Sequence, residues 1–179
     1  GYKKFIALEI DKSIKPNYAI HKSFISYKFT NNFDVIIGNP PYIRWKNLNK
    51  ELKKELENNV IWKKNFNSLC DYLYIFIFKS LEILEEDGEI IFITPEYWFK
   101  NLHSQFLRNY ILKKGHIKEI YYLGENRYFD KVNSSFVIFK IRKKKIHPKI
   151  KLFKLRDNVT NLKDIFLKTK KNFKKIIIK

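Results

Sequence analysis

The chain has 179 residues, enough for one domain with a substantial core, and its 45% hydrophobic and 17% aromatic content excludes a disordered segment. The longest apolar run, Tyr72 to Phe78, is too short to span a membrane, and a single cysteine, Cys70, excludes an internal disulfide and a cysteine-built metal site. The formal charge of +19 leaves two explanations open: a polyanionic partner, or codon bias toward A·T, since only Arg44, Arg108, Arg127, Arg142 and Arg156 are arginine. His21, His103, His116 and His147 have no metal-ligand spacing. No charged-then-apolar leader is visible, so a cytoplasmic location is the expectation.

In chain order, residues 3–11 read as a strand carrying Glu9 near its carboxyl end. A carboxylate there can accept two hydrogen bonds from a ribose diol, or be an ordinary solvent-facing acid. Residues 18–25 form a second short strand candidate, with Ser23-Phe24 near its end. Phe33 to Gly38 reads as a buried parallel strand. Asn39-Pro40-Pro41 stops it, because neither proline can donate to a ladder and each disfavours helix in the residue before it. A stiff loop then presents Asn39 and Tyr42 where open α/β sheets bind ligands. The Asn39 side-chain oxygen and the Pro40 carbonyl can together hold the two hydrogens of one NH2 group, while the Tyr42 ring covers the flat face of its carrier. Two acceptors keep the amine lone pair available for attack, and an aromatic face favours the positive charge that develops. A proline-stopped loop with a capping asparagine is the plainer alternative.

The run Asp-Val-Ile-Ile-Gly-Asn-Pro-Pro-Tyr-Ile-Arg (34–44) resembles motif IV of the adenine-specific (amino) DNA methyltransferases of restriction–modification systems, with gamma-type motif order. The Ile43-Arg44 extension resembles the branch in which methylase and endonuclease are often fused. The same four-residue motif occurs in enzymes that methylate glutamine side chains or RNA bases, so the motif by itself implies amino-group methylation and not the substrate. The resemblance implies S-adenosylmethionine as cofactor and DNA, with a flipped adenine, as partner. It places Glu9 at the ribose, and Ser23 where the family usually has an Asp that reaches the cofactor's adenine amine. Phe24 would pack on that adenine or belong to the core. Asn39 would face cofactor and target alike, and Tyr42, Arg44, Asp71 and Phe136 would lie on the substrate side.

Further along, Leu48 to Val60 has helical spacing, with Trp45, Trp62, Lys63 and Lys64 around it as either DNA contacts or inert loop residues. Residues 69–86 read as one long buried helix capped by Ser68 or Asp71; Asp71 is equally a capping residue and the fifth motif of the family. Asp87-Gly88 is a turn into the buried strand 89–94, which Pro95 stops. Phe99, Leu102, Phe106 and Tyr110 space a helix over 99–113. The run Thr-Pro-Glu-Tyr-Trp-Phe (94–99) with Leu107-Arg108 resembles the restriction-associated methylases and weakens the glutamine alternative. Strands at 116–123 and 134–142 imply an antiparallel hairpin at the sheet's edge, with Phe136, or in reserve Phe129, as the aromatic against a flipped base. Lys143-Lys144-Lys145 marks a boundary between a catalytic part (1–142) and a basic segment (143–179), where a target-recognition region begins in the family. Within that segment Ile150–Leu155 reads as a strand and Leu162–Lys175 as a basic helix or a frayed tail.

The five glycines form no G-x-G. The loop that cradles the methionine part of the cofactor is therefore not in this sequence, nor is the strand before it. The expectation is a class I, Rossmann-like methyltransferase fold, α/β with a mostly parallel sheet, an antiparallel edge hairpin and its amino-terminal part missing. Another chain or an upstream segment would supply the missing loop; a non-catalytic remnant or partner subunit is the alternative.

Overall fold

The computed structural model describes residues 5–14, 18–124, 134–144 and 149–155, and the backbone of Phe173–Ile176. The described elements are β1 (Ala7–Leu8), β2 (Ala19–Ile20), β3 (Phe33–Gly38), α1 (Lys50–Asn58), α2 (Val60–Asn65), α3 (Tyr72–Glu82), β4 (Leu84–Pro95), α4 (Gln105–Lys114), β5 (His116–Gly124), β6 (Phe136–Arg142), β7 (Lys151–Leu155) and β8 (Phe173–Ile176). Short polar side chains set the helix starts. Asn49 Oδ1 accepts from Leu52 N at 2.8 Å, Asn59 Oδ1 from Trp62 N at 3.1 Å, and Asp71 Oδ1 from Leu73 N at 3.0 Å. α3 is apolar on nearly every face and is correspondingly buried, with Leu73, Tyr74, Ile75, Ile77 and Leu81 wholly out of solvent. These side chains share one core with Ile90 and Phe92 of β4 and Phe139 and Ile141 of β6.

Six strands form one sheet in the order β3-β4-β6-β5-β7-β8. β3, β4, β5 and β7 point the same way, and β6 and β8 run against them. β1 and β2 pair in parallel as a separate two-stranded sheet. The expected strand over 3–11 is thus reduced to Ala7–Leu8 within its described part, and Phe5, Ile10 and Ile20 are exposed beside it. β3 ends the larger sheet on one side, with Ile37 exposed.

Four sequence expectations change in detail. The hairpin β5–β6 forms, but it lies inside the sheet: β6 also pairs with β4 from Glu89↔Arg142 to Pro95↔Phe136, and β7, the strand expected at 150–155, pairs beyond β5. Phe173–Ile176 pairs with β7 as a strand rather than ending a helix, while residues 162–172 lie outside the described residues. The buried helix stops at Glu82, because Leu84 already pairs with Phe33. From there to Glu89 β4 advances five residues while β3 advances two, from Phe33 to Val35. Asp87 turns this excess at φ +62°, and Gly88 packs where a Cβ would come within 2.9 Å of the Glu85 carbonyl oxygen. The Asp87-Gly88 turn is therefore present, set inside the strand. The helix expected from Phe99 begins only at Gln105: Asn101 and Ser104 capture the preceding backbone in short 3-10 turns, and Leu107 and Ile111 form the buried face in place of Leu102 and Phe106.

Candidate active site

Gly38, the last residue of β3, lies opposite Phe92 of β4. Asn39 therefore leaves the sheet at the carboxyl end of two parallel strands. It is exposed, while Pro40 behind it is buried and Pro41 is half-buried. Tyr42 is half-buried too, and its ring meets Phe136 edge-on, centroids 5.6 Å apart at 69°. Burial raises the Tyr42 pKa, which keeps the phenol neutral. Phe136 itself is completely buried at the start of β6, opposite Pro95 of β4. It backs the Tyr42 ring and, being buried, presents no face of its own to a ligand. Phe129, the reserve candidate, lies outside the described residues.

The chain after Tyr42 is tied to the start of α3. Tyr72 N donates to the Ile43 carbonyl at 2.9 Å, and Arg44 and Asp71 form an isolated antiparallel bridge. The Arg44 side chain is exposed. Asp71 is 4% exposed and engaged on both oxygens: Oδ1 caps α3 through Leu73 N, and Oδ2 accepts the Tyr97 hydroxyl. Burial raises the Asp71 pKa, and the two hydrogen bonds and the Arg44 charge pull against it. The Tyr97 hydroxyl is pushed well above the usual phenol range by burial and by the Asp71 carboxylate. Asp71 thus acts as cap and anchor behind the loop, with no exposed oxygen turned to a ligand.

Tyr97 is the residue that sequence reasoning did not single out, although it fell inside the quoted 94–99 run, and Arg108, named there only within the resemblance, braces its turn. Trp98 Nε1 donates to Thr94 Oγ1 at 3.0 Å, and Arg108 Nη1 reaches the Asn101 carbonyl at 2.7 Å and the Trp98 carbonyl at 3.2 Å. Together these bonds fix the 95–101 turn that carries Tyr97. An aromatic hydroxyl two residues past a strand-stopping proline was the available signal.

The residues assigned to a nucleoside lie after β1 and β2, outside the larger sheet. Glu9 directly follows β1; its amide donates to the Ile20 carbonyl, and its Oε1 accepts from Asp11 N at 2.9 Å. Ser23 Oγ accepts from Ile25 N at 3.2 Å, and Phe24 is half-buried, stacked on Phe76 with centroids 5.1 Å apart. Among the described residues no hydrogen bond links Glu9 or Ser23 to the Asn39 loop. Trp62 is buried and stacks on Trp45 at 5.6 Å, which removes it as a DNA contact and leaves Lys63 and Lys64 exposed. No helix of the described residues is long and apolar enough to cross a membrane.

A profile of the Eco57I restriction-modification methylase family matches residues 3–129, most of the chain. The chain belongs to this family. It is 46% identical over 146 residues to the type II methyltransferase M.HincII of Haemophilus influenzae, a match covering 81% of this chain and 29% of that relative. It therefore spans less than a third of that relative's length. Its fold is that of the class I methyltransferases. A Listeria monocytogenes protein described as a class I S-adenosylmethionine-dependent methyltransferase superposes with a TM-score of 0.53 at 16% identity, over 76% of this chain and 38% of that one. The enzyme in a DrdV–DNA complex superposes with a TM-score of 0.54 at 17% identity, over 81% of this chain and 17% of that one.

Proposed function

We propose that this methylase chain serves methyl transfer to the exocyclic amine of adenine in DNA. The observation that carries the reading is the loop itself: an exposed asparagine at the carboxyl end of β3, braced by a buried proline and followed by a tyrosine ring held edge-on by Phe136. The Asn39 side-chain oxygen and the Pro40 carbonyl would accept the two amine hydrogens, leaving its lone pair free to attack, and the extra proton on the methylated nitrogen would pass afterwards to solvent water without a dedicated base. The Tyr42 face would stack on the base and favour the charge that develops on the amine. An adenine inside a duplex is out of reach of such a loop, so the base must be flipped. The +19 charge suits a polyphosphate partner, as do the restriction–modification relatives.

The cofactor in this reading is S-adenosylmethionine. Glu9 would take the ribose diol, with Ser23 and Phe24 on the adenine. That cofactor, when bound, supplies the electrophilic methyl group. For the methionine half the sequence offers no G-x-G cradle, and β3 presents an open edge. A strand and glycine loop from another segment or chain would complete the site there. Residues 1–142 form the catalytic part in this reading, and 143–179 begin the DNA-reading part.

The test is kinetic, in protein supplied with the glycine loop. Asn39→Ala removes one of two preorganised acceptors and is expected to cost about 3 kcal/mol in the transfer step. Tyr42→Ala lowers turnover, whereas Tyr42→Phe and Tyr42→Trp largely keep it, because stacking needs the ring and not the hydroxyl. A Tyr42→Phe protein as inactive as Asn39→Ala would contradict the stacking role.

A further inference from the structure

Lys79 lies in the last turn of α3, 9% exposed, at the opposite end of the helix from Asp71 and unused by the chemistry above. Its ammonium donates to three backbone carbonyls, those of Phe24 and Ile25 at 2.7 Å and of Tyr27 at 2.8 Å. An ammonium has three N–H groups, and all three are engaged. A lysine so occupied has neither a free donor nor a lone pair to offer a substrate, so its task is to hold the backbone. The three carbonyls converge on one point, where their dipoles repel each other without a cation between them. The same nitrogen lies 5.4 Å from the centre of the Phe24 ring and 5.3 Å from that of Phe29. The turn is closed from within by Tyr27 N donating to the Ser23 carbonyl at 3.0 Å and Ile25 N to Ser23 Oγ. α3 reaches the Phe24 ring a second time through Phe76, which stacks on it.

We propose that Lys79 is a positioning residue for the cofactor: it fixes the Ser23–Tyr27 turn to α3 and thereby sets the Phe24 ring and Ser23 hydroxyl as the adenine-facing wall. The inference rests on the assignment of Ser23 and Phe24 to the adenine. α3 also carries Asp71 at its amino end, behind the Asn39 loop. One rigid buried helix therefore sets both the nucleoside wall and the amine-binding loop, which ties their relative placement to a single element. The side chain that does this for the nucleoside wall must donate three bonds, and shape without donors does not suffice.

Two measurements on the full 179-residue chain test this. The first is hydrogen exchange at the Ile25 and Tyr27 amides, with the β4 and β6 amides in the same sample as an internal control of folding. The second is ligand-observed NMR titration with adenosine, competed by S-adenosylmethionine. Lys79→Met is expected to speed exchange at Ile25 and Tyr27 at least tenfold while β4 and β6 stay protected, and to weaken adenosine binding several-fold. Lys79→Gln, which keeps two donors and is less disruptive, falls between wild type and Lys79→Met in both. Unchanged exchange in both variants overturns the positioning role. Faster exchange with unchanged adenosine affinity overturns the cofactor role and leaves a purely structural clamp. If wild type shows no adenosine signal at all, the adenine assignment of Ser23 and Phe24 fails, and the cofactor half of the inference falls with it.

Discussion

At the scale of residues, one buried carboxylate joins three segments. Asp71 caps α3, accepts the Tyr97 hydroxyl from the turn after β4, and pairs its backbone with Arg44 behind the Asn39 loop. Asp71→Ala removes the cap, at about 1 kcal/mol, and leaves a buried phenol without its acceptor, at about 1–3 kcal/mol more. Asp71→Asn keeps an oxygen for Leu73 N, offers an amide toward Tyr97 and discards a charge that burial disfavours, so it is expected to stay within about 1 kcal/mol of wild type. Denaturant unfolding of the two variants checks the contrast; equal losses would mean that charge, and not the hydrogen-bond pair, holds the loop. The position of Asn39 and Tyr42 just past the carboxyl end of β3 was legible in the sequence because proline chemistry is local: two prolines after a glycine-ended apolar run end the strand. The burial of Phe136 was not legible, because it depends on β6 pairing with β4 across a separation of some forty residues. Tyr97 escaped for the same reason, its partner being distant in sequence.

At the scale of elements, local pattern and long-range pairing divide the outcome. α1 and α3 start where asparagine and aspartate announce them, and β3 ends where the prolines demand. The end of α3 was hidden, because Ile83-Leu84 continues an apolar helical run while the register actually assigns Leu84 to Phe33. The hairpin was legible as a pair but not in its place, since strand order is a property of the whole sheet. Its entry is the tightest point. A Cβ on Gly115 would lie 2.2 Å from the Arg142 carbonyl oxygen, a backbone atom held in the β5–β6 ladder. Gly115→Ala must therefore push the two strands apart where they begin to pair. A loss of about 1–3 kcal/mol is expected, read by thermal or denaturant unfolding. A variant as stable as wild type would show that this end of the hairpin yields easily.

For the whole molecule, the buried titratable groups give stability a defined dependence on alkaline pH. Burial lowers Lys79 from its ordinary 10.5 to about 8, with the Glu55 charge opposing. Between those values the unfolded chain binds the proton that the native chain has released, so this contribution to stability grows as pH rises from about 8 and is lost as pH falls through it. Tyr72 and Tyr97 act in the opposite sense. Burial, with Glu55 beside one and Asp71 beside the other, holds both above their ordinary 10.0, so the native state keeps protons that the unfolded chain loses, and stability falls above that pH. A rise followed by a fall is expected when unfolding is followed across this range, and Lys79→Met removes the rise while leaving the fall. A rise that survives Lys79→Met would assign it to another group. The claim that most needs a direct test is that the Asn39 loop takes the amine of adenine. The measurement is transfer of labelled methyl from S-adenosylmethionine to DNA, RNA and a glutamine peptide, by this chain supplied in trans with a segment carrying the glycine loop. Label in N6-methyladenine of DNA, lowered on the order of a hundredfold by Asn39→Ala, is the expected result; label in cytosine, in RNA or on glutamine, or transfer to adenine that Asn39→Ala leaves undiminished, would contradict it.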